Sequence, residues 1–562
     1  MRPPFRFVRL GLVRGGPVLQ PHAVLARTGP ALLGLALGVL ALGPALGPGF
    51  VLRYDMVFVP DPPPRLPGGF PRAVPSDQVV ALLSAVVPAE IVQKAILLGL
   101  FVLAASGAAA LARDALPGGG IVPRLAAAAF YAWNAYLAQR LLIGQWALLL
   151  GYAGLPWAVR AAARGGASRL AAALLPAAVG GFQAMLVSAL TVLPVAALRG
   201  GRGGGRGEGG GGGGGRARAV LSSVSPPLAV VAVLSLPWLV PALIPALVPA
   251  LGADAVADPA GVAAFAPRAD GPFGTLGSLL TLGGIWNSHA VVPGQDMPAL
   301  AAVRLALTLV AVAGFVRLGF VRRPAWWRGL AAAACAGVLI ACAGAFAPGV
   351  PRALIGWWAG FGPLRDGQVY VAPFALAQAV GVAVAVTALR AALPAPIASA
   401  AVAVPVLVLP TFALGAFGRL GTAEYPEEWR RVQAVVNGDP VPGALLSLPW
   451  SAYRAFSWNG GRVVLDPATK MFSRPVVWND ALVVGTGGGR QIRVAAESPL
   501  ARRIGALLAG PAEPVSASLT EALAREGVRY VLTVGADENT FLSRLPGATP
   551  VYRGRELLLV RL

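Results

Sequence analysis

Three kinds of residue in this chain have chemistry to offer, and each lies close to an apolar run. Asp55 follows the first run, residues 30–52, in the string Phe50-Val-Leu-Arg-Tyr-Asp-Met-Val-Phe. A carboxylate at a membrane surface costs desolvation energy and marks a candidate functional group. Such a group can accept a proton or offset a developing positive charge; the plainer reading is an interface anchor paired with Arg53. Asp61 and Asp77 are the next acids outside the apolar runs. Asp61 lies in Pro60-Asp-Pro-Pro-Pro and reads equally as a turn residue, and Asp77 reads equally as a helix cap. Arg140 lies between two apolar runs, beside Gln139 and near Gln145 and Trp146. A guanidinium there can bind an anion through forked hydrogen bonds or can snorkel from a helix end. Arg365 and Asp366 form a second charged constellation, a ligand-holding pair or a structural ion pair. Trp286, Asn287 and His289 offer a ring face and hydrogen-bonding groups, or interfacial packing.

The elements that must position these residues are membrane helices. Apolar residues make up 56% of the 562 and charged residues 12%, half the usual charged share of a soluble chain. Several runs reach the roughly 20 residues a helix needs to cross a bilayer. The hydropathy pattern predicts eleven spans, near 30–52, 90–112, 125–138, 143–159, 168–181, 182–198, 219–240, 299–317, 329–348, 372–389 and 395–417. The N-terminus is then cytoplasmic and the C-terminus extracytoplasmic. The first run is too long for the apolar core of a cleaved signal, and further spans follow it. The predicted cytoplasmic segments are rich in Arg, including Arg2, Arg6, Arg160, Arg164, Arg322 and Arg323, and hold two acids, Asp114 and Glu208. This is the positive-inside pattern. It turns the net charge of +22 into a topology signal, with contact to anionic headgroups as a by-product and no nucleic-acid partner implied. Residues 168–198 read as two short helices or a kinked pair around Gly180 and Gly181.

Residues 1–29 form a cytoplasmic arm, 30–419 a transmembrane domain and 420–562 a further domain. Within the transmembrane part, outer loops are expected at 54–89, 241–298 and 349–371. The Gly/Arg-rich stretch 199–218 reads as a flexible cytoplasmic linker; no strand or Lys-Ser/Thr ending suggests phosphate binding there. In the first loop, the string from Pro75 predicts a short amphipathic helix in the interface, with Ser76 or Asp77 at its cap. Past residue 420 the charges nearly balance, at 16 Lys/Arg and 13 Asp/Glu. Patterning predicts helices from Glu427 and Ser518, strands from Gly443, Arg462 and Val528, and a closing hairpin from Val551. Cys335 and Cys342, seven apart in one helix, cannot pair in a disulfide. No Cys/His metal spacing occurs, and His22 and His289 are isolated.

This ordering resembles the GT-C superfamily, the multi-spanning glycosyltransferases that use polyprenyl-phosphate sugars. An acid follows the first span (Asp55), and a long first loop carries an interfacial helix. The segment Trp133-Asn134, Arg140-Leu141, Gly144-Gln145-Trp146, Leu149-Leu150-Gly151-Tyr152 is similar to one seen in many such proteins. The resemblance covers most of residues 30–400. The tail resembles those of actinobacterial arabinofuranosyl- and mannosyltransferase-like proteins and of YfhO-type membrane proteins. The Gly-, Ala- and Arg-rich composition fits a high-GC actinobacterium. One departure stands out: the frequent pair of adjacent acids is absent, since Met56 follows Asp55 and the next acid is Asp61.

The resemblance implies an α-helical polytopic membrane protein of about eleven spans with a C-terminal extracytoplasmic α/β domain, in the plasma membrane. It implies an inverting glycosyltransferase that moves a sugar from a polyprenyl-phosphate donor to an envelope glycan or glycolipid on the outer face. Asp55 is then the general base, with Asp61 and Asp77 as alternates. Arg140 and Arg365 are the donor-phosphate candidates, and Trp286, Asn287, His289 and Asp366 the sugar or acceptor contacts. No cofactor is fixed by the resemblance; a divalent cation is a candidate, and the missing second acid weighs against a metal site. The partners are the lipid-linked donor, the envelope acceptor and membrane lipids. The alternatives are a non-catalytic scaffold of envelope assembly and, ranked last, a transporter of lipid-linked sugars.

Overall fold

The computed structural model describes residues 21–64, 73–199, 213–247, 258–486, 490–510, 518–535 and 537–562. The N-terminal arm up to residue 20, the end of the Pro-rich loop, the linker 200–212 and residues 248–257 lie outside the described residues. Seven helices are long and apolar enough to cross a membrane: Arg27–Leu46, Ala89–Ala115, Phe182–Arg199, Val220–Leu243, Pro298–Val321, Trp327–Phe346 and Gly367–Ala392. The chain is a multi-pass membrane protein. The 168–198 region is two helices, Ala167–Gly180 and Phe182–Arg199, divided at Gly181, whose φ of +79° a residue without a Cβ adopts at little cost.

The helix Ala89–Ala115 packs against Pro21–Leu42, Ile121–Ala132 and Trp146–Arg164. The helix Ala372–Ala392 packs against Pro298–Val321, Ile121–Ala132 and Trp327–Phe346 and belongs to the most enclosed of the seven long apolar segments. Gly314 and Gly381 meet backbone to backbone between two of these helices; small residues at such a contact let helices approach closely where no water drives them together.

Two predicted spans are broken. The run 125–138 divides into Ile121–Ala132 and Ala135–Leu142. Asn134 holds the break: its Oδ1 accepts from Leu137 N (3.1 Å), and its Nδ2 donates to the carbonyls of Phe130 and Tyr131 (both 3.0 Å). One side chain thus satisfies backbone groups on both sides of the interruption. The run 395–417 is not one helix either but the short pieces Ala395–Ala400, Val404–Val408, Pro410–Phe412 and Ala413–Gly418. Pro394, Pro405 and Pro410 remove backbone donors along it.

The tail carries a five-stranded sheet in the order Thr549–Arg553, Leu557–Arg561, Val528–Val534, Ala444–Leu448, Val476–Val477. The first two neighbouring pairs are antiparallel and the last two parallel. The helices Glu427–Gly438 and Leu519–Arg525 stand where the patterning put them, the second capped by Ser518.

Bundle and tail are joined at the stretch that follows the first helix. Phe50–Val51 pairs antiparallel with Thr422–Ala423. Tyr54 donates its N–H to Val463 O (2.8 Å) and accepts from Leu465 N (2.9 Å), residues of a hairpin formed by Tyr453–Ala455 and Val463–Leu465. On the bundle side, Gln93 is fully buried and exchanges two bonds with the Val51 backbone, at 2.9 and 2.8 Å. Buried apolar side chains, among them Met56, Phe58, Trp146, Tyr425, Trp429 and Val464, continue from one part into the other.

Candidate functional site

Asp55 lies at this junction, half-buried. Its N–H donates to Ile143 O (3.1 Å), and Arg53 Nε donates to Leu142 O (3.0 Å). The turn 53–56 is closed by Met56 N donating to Arg53 O (2.9 Å). Gly144 lies directly beneath it with φ +87°. A Cβ there would stand 2.6 Å from Arg53 O and 2.9 Å from Asp55 C, so both the left-handed backbone and the close approach call for glycine. From the tail, the Tyr453 hydroxyl donates to Asp55 Oδ1 at 2.6 Å, the short length of a bond to an ionised acceptor. The Tyr453 ring meets Tyr54 edge-on, 6.0 Å between centroids.

Arg140 is fully buried on the far end of the helix that Asn134 starts. Asp366 takes it bidentately, Oδ2 from Nη1 at 2.7 Å and Oδ1 from Nη2 at 2.9 Å. Gln368 Oε1 accepts from Nε (2.7 Å) and also from Nη2, and Gln145 Oε1 accepts from Nη1 (2.7 Å). All the N–H groups of the guanidinium are therefore engaged, and a phosphate reaches it only by displacing Asp366 or a glutamine. Burial opposes the charge on Arg140, but Asp366 first, then Tyr136 and Asp55, outweigh it and hold its pKa above the ordinary arginine value. The next residue back, Gln139, donates to Asp270 Oδ2 (2.6 Å) and Gln295 Oε1 (3.1 Å). This short helix thus ties the loops around residues 270, 295 and 366 into the floor beside Asp55.

The other sequence-derived candidates are distributed around this floor rather than gathered on it. Arg365 does not pair with Asp366, as the sequence suggested, but with Glu497 (2.8 Å), its cation 5.0 Å from the Phe265 ring centre. Asp366 is committed to Arg140. Asp77 pairs with Lys470 (2.8 Å) in the first turn of a helix whose cap position is Pro75, not Ser76 or Asp77. Asp61 is exposed, and its backbone carbonyl accepts from Gln433 (3.1 Å). Trp286 is buried edge-on against Phe265, 4.8 Å between centroids, and presents no open ring face. Asn287 accepts from the His289 N–H (2.9 Å), and His289 is exposed. Arg304, inside the helix Pro298–Val321, donates to the carbonyls of Val408 (3.0 Å) and Gln295; the broken last run supplies the first. Trp458 packs with Tyr425, Trp429 and Phe456. Among the described residues, no three His, Cys, Asp or Glu side chains are placed to hold a metal ion.

Sequence reasoning did not reach Tyr453, because it stands 398 residues from its partner in a hairpin with no local motif. Gly144 lay within the quoted Gly-Gln-Trp string, and its positive φ is the physical content of that motif.

No family model matches the sequence, and no curated protein matches it. Solved structures do. The chain superposes on arabinofuranosyltransferase AftD from Mycobacteria with a TM-score of 0.55 at 15% identity, over 95% of this chain and 39% of that one. The fold is of the GT-C type. A variant of the same mycobacterial protein gives a TM-score of 0.54 at 15% identity, over 95% and 41% of the two chains. The oligosaccharyltransferase of Archaeoglobus fulgidus gives 0.42 at 13% identity, over 91% and 68%. The chain thus spans about two fifths of the length of the arabinofuranosyltransferase it matches. In this GT-C-type fold the acid after the first helix, Asp55, lies where the helical bundle, the first loop and the sheet-bearing tail come together.

Proposed function

We propose that the chain is an inverting glycosyltransferase of the cell envelope, working at the outer face of the plasma membrane with a polyprenyl-phosphate sugar as donor and a glycan or glycolipid as acceptor. The observation that carries this reading is the setting of Asp55. It is a half-buried carboxylate whose backbone is locked by Ile143 and Gly144 and whose oxygen is aimed by Tyr453. Asp55 acts as general base. The acceptor oxygen attacks the anomeric carbon from the side opposite the phosphate, and its proton passes to the Asp55 carboxylate. The bond from the anomeric carbon to the phosphate oxygen breaks with its electron pair leaving on the polyprenyl phosphate. A base held in a fixed line with the acceptor is worth several powers of ten in rate. The Arg140–Asp366 pair braces the floor on which Asp55 stands, and the Arg140 cation, which also acts on Asp55, keeps that floor from repelling a carboxylate. The likeness in fold to an arabinofuranosyltransferase supports the class of reaction.

The test is glycosyl-linkage analysis of the envelope from a strain lacking this chain, complemented with wild type or Asp55→Asn at equal membrane levels. Loss of the same linkage in the Asn variant and in the empty strain supports the base. Full restoration by Asp55→Asn removes the base and leaves the scaffold reading, in which the chain is needed and its carboxylate is not.

A further inference from the structure

Three arginines gather where the first loop, the end of the broken run and the tail meet, and none of them is paired with a carboxylate. Arg53 Nη2 and Arg419 Nη1 both donate to one acceptor, the carbonyl of His289, at 2.8 and 3.3 Å. Arg53 Nη1 also reaches Arg419 O (3.4 Å), and Arg419 Nη1 reaches Val291 O (2.6 Å). Arg462 comes in from the tail hairpin. It precedes Val463, whose carbonyl takes the Tyr54 N–H, and its Nη2 donates to Thr422 O (3.0 Å) and Asn459 Oδ1 (3.1 Å). All three side chains are half-buried. Every acceptor they hold is a backbone carbonyl or a neutral amide. Burial first, then Arg419 and Arg462, push the Arg53 pKa down, with only Tyr54 acting the other way.

Like charges sharing one carbonyl repel, and partial desolvation strengthens the repulsion. Elsewhere among the described residues, several buried or half-buried arginines are neutralised, Arg140 by Asp366, Arg160 by Asp114, Arg365 by Glu497 and Arg529 by Asp439, while Arg268 and Arg304 each hold carbonyls alone. The cluster at 53, 419 and 462 differs from both in bringing three cations within reach of one another, with Arg53 two residues from the candidate base in the stretch that follows the first membrane helix. Its parts come from the first loop, the end of the broken run and the tail, so only the assembled chain makes it.

We propose that Arg53, Arg419 and Arg462 form a seat for the phosphate of a membrane lipid. The shared chemistry is a phosphate ester anion at the membrane surface, carried by a polyprenyl chain or by a glycerophospholipid headgroup. Guanidinium forks suit such a group, and its charge relieves the repulsion among the three cations. The inference rests on the glycosyltransferase reading for the first source, in which the seat holds the departing polyprenyl phosphate beside Asp55.

The test uses the full chain in an uncharged detergent with phosphatidylcholine, titrated with undecaprenyl phosphate in one arm and phosphatidylglycerol in the other, with retained lipid counted by native mass spectrometry. The variants are Arg419→Gln, Arg462→Gln and Arg53→Gln, with Arg419→Lys as the charge-preserving version should a Gln variant fail to fold. Arg431→Gln, on an exposed face, is the control. Each Gln variant is expected to weaken binding about tenfold or more, as loss of a charge-assisted contact does, while Lys retains part of it and the control none of the loss. Preference for undecaprenyl phosphate assigns the seat to a lipid-linked donor; equal, arginine-dependent retention of phosphatidylglycerol assigns it to a headgroup. Absence of binding, or binding indifferent to all three substitutions, overturns the proposal. Asp55→Asn separates the two readings: if it restores the envelope linkage while the arginine variants still lose lipid, the base falls and the seat stands.

Discussion

Gly144→Ala is the most direct probe of how the fold places Asp55. The new Cβ would lie 2.6 Å from Arg53 O, whereas real Cβ contacts essentially never fall below 3.0 Å. Met56 N would lie closer still, so the turn 53–56 must retreat by more than the roughly 0.4 Å that Arg53 O alone requires. Holding Ala at φ +87° adds about 1–2 kcal/mol of backbone strain. A displacement of 1 Å at a reacting group costs about a hundredfold in rate, so a shift beyond this bound predicts a loss of about tenfold or more. The assay is the initial rate of labelled-precursor incorporation into the affected linkage in the complemented strain, with the thermal midpoint of the purified variant measured alongside. Gly99→Ala is the control, since a Cβ there meets nothing within 4 Å and alanine favours the helix. If Gly144→Ala matches wild type in both rate and midpoint, the account of Asp55 placement is wrong.

Tyr453→Phe keeps the ring against Tyr54 and removes only the hydroxyl that reaches Asp55; an incorporation rate about tenfold lower at unchanged membrane level is expected, and an unchanged rate refutes a role for the tail in the site. Asp366→Ala leaves the fully buried Arg140 without its counter-charge and should cost about 3–5 kcal/mol. The double variant Arg140→Met with Asp366→Leu should lose less, and scanning fluorimetry that ranks the double below the single contradicts the ion-pair argument. Asp439 accepts from Arg529 and Tyr530, both at 2.6 Å, and these bonds hold its carboxyl well below the usual range. With its folded pKa depressed, its contribution is present above the ordinary aspartate pKa near 3.8 and fades as pH falls from there towards the folded value. The gap between the unfolding midpoints of wild type and Asp439→Asn should be constant above about pH 5 and narrow steadily as pH falls below about 4, and a gap that does not narrow counts against this assignment.

The membrane helices were legible because a bilayer demands long apolar runs, and a composition of this kind displays them without help from tertiary contacts. The runs 125–138 and 395–417 read as continuous helices for the same reason, and the structure interrupts both: hydropathy counts apolar content and is blind to Asn134 supplying a cap or to Pro405 and Pro410 withholding donors. In the tail, alternation and capping residues such as Ser518 wrote the elements locally. The site was legible only in part. Asp55 and Arg140 announce themselves by their cost in an apolar setting, but which charge meets which is decided at long range. Asp366 lies 226 residues from Arg140, and adjacency in sequence wrongly joined it to Arg365, whose side chain leaves towards Glu497. For Trp286 the sequence left platform and packing both open, because it does not show that Phe265 meets the ring.

The pairing of Tyr54 with the hairpin at 453–465 also sets an order of events during synthesis. Asp55 leaves the ribosome 398 residues ahead of Tyr453, and Arg53 waits as long for Arg462. Every membrane helix is made while the carboxylate is still unclamped. Contacts this distant in sequence form late, and domains complete in the order they emerge. A chain halted after its last apolar segment would sit in the bilayer with its acid in place and its machinery unassembled. On the proposed reading of Asp55, the carboxylate is aimed only once the hairpin at 453–465 has been made and has reached Tyr54.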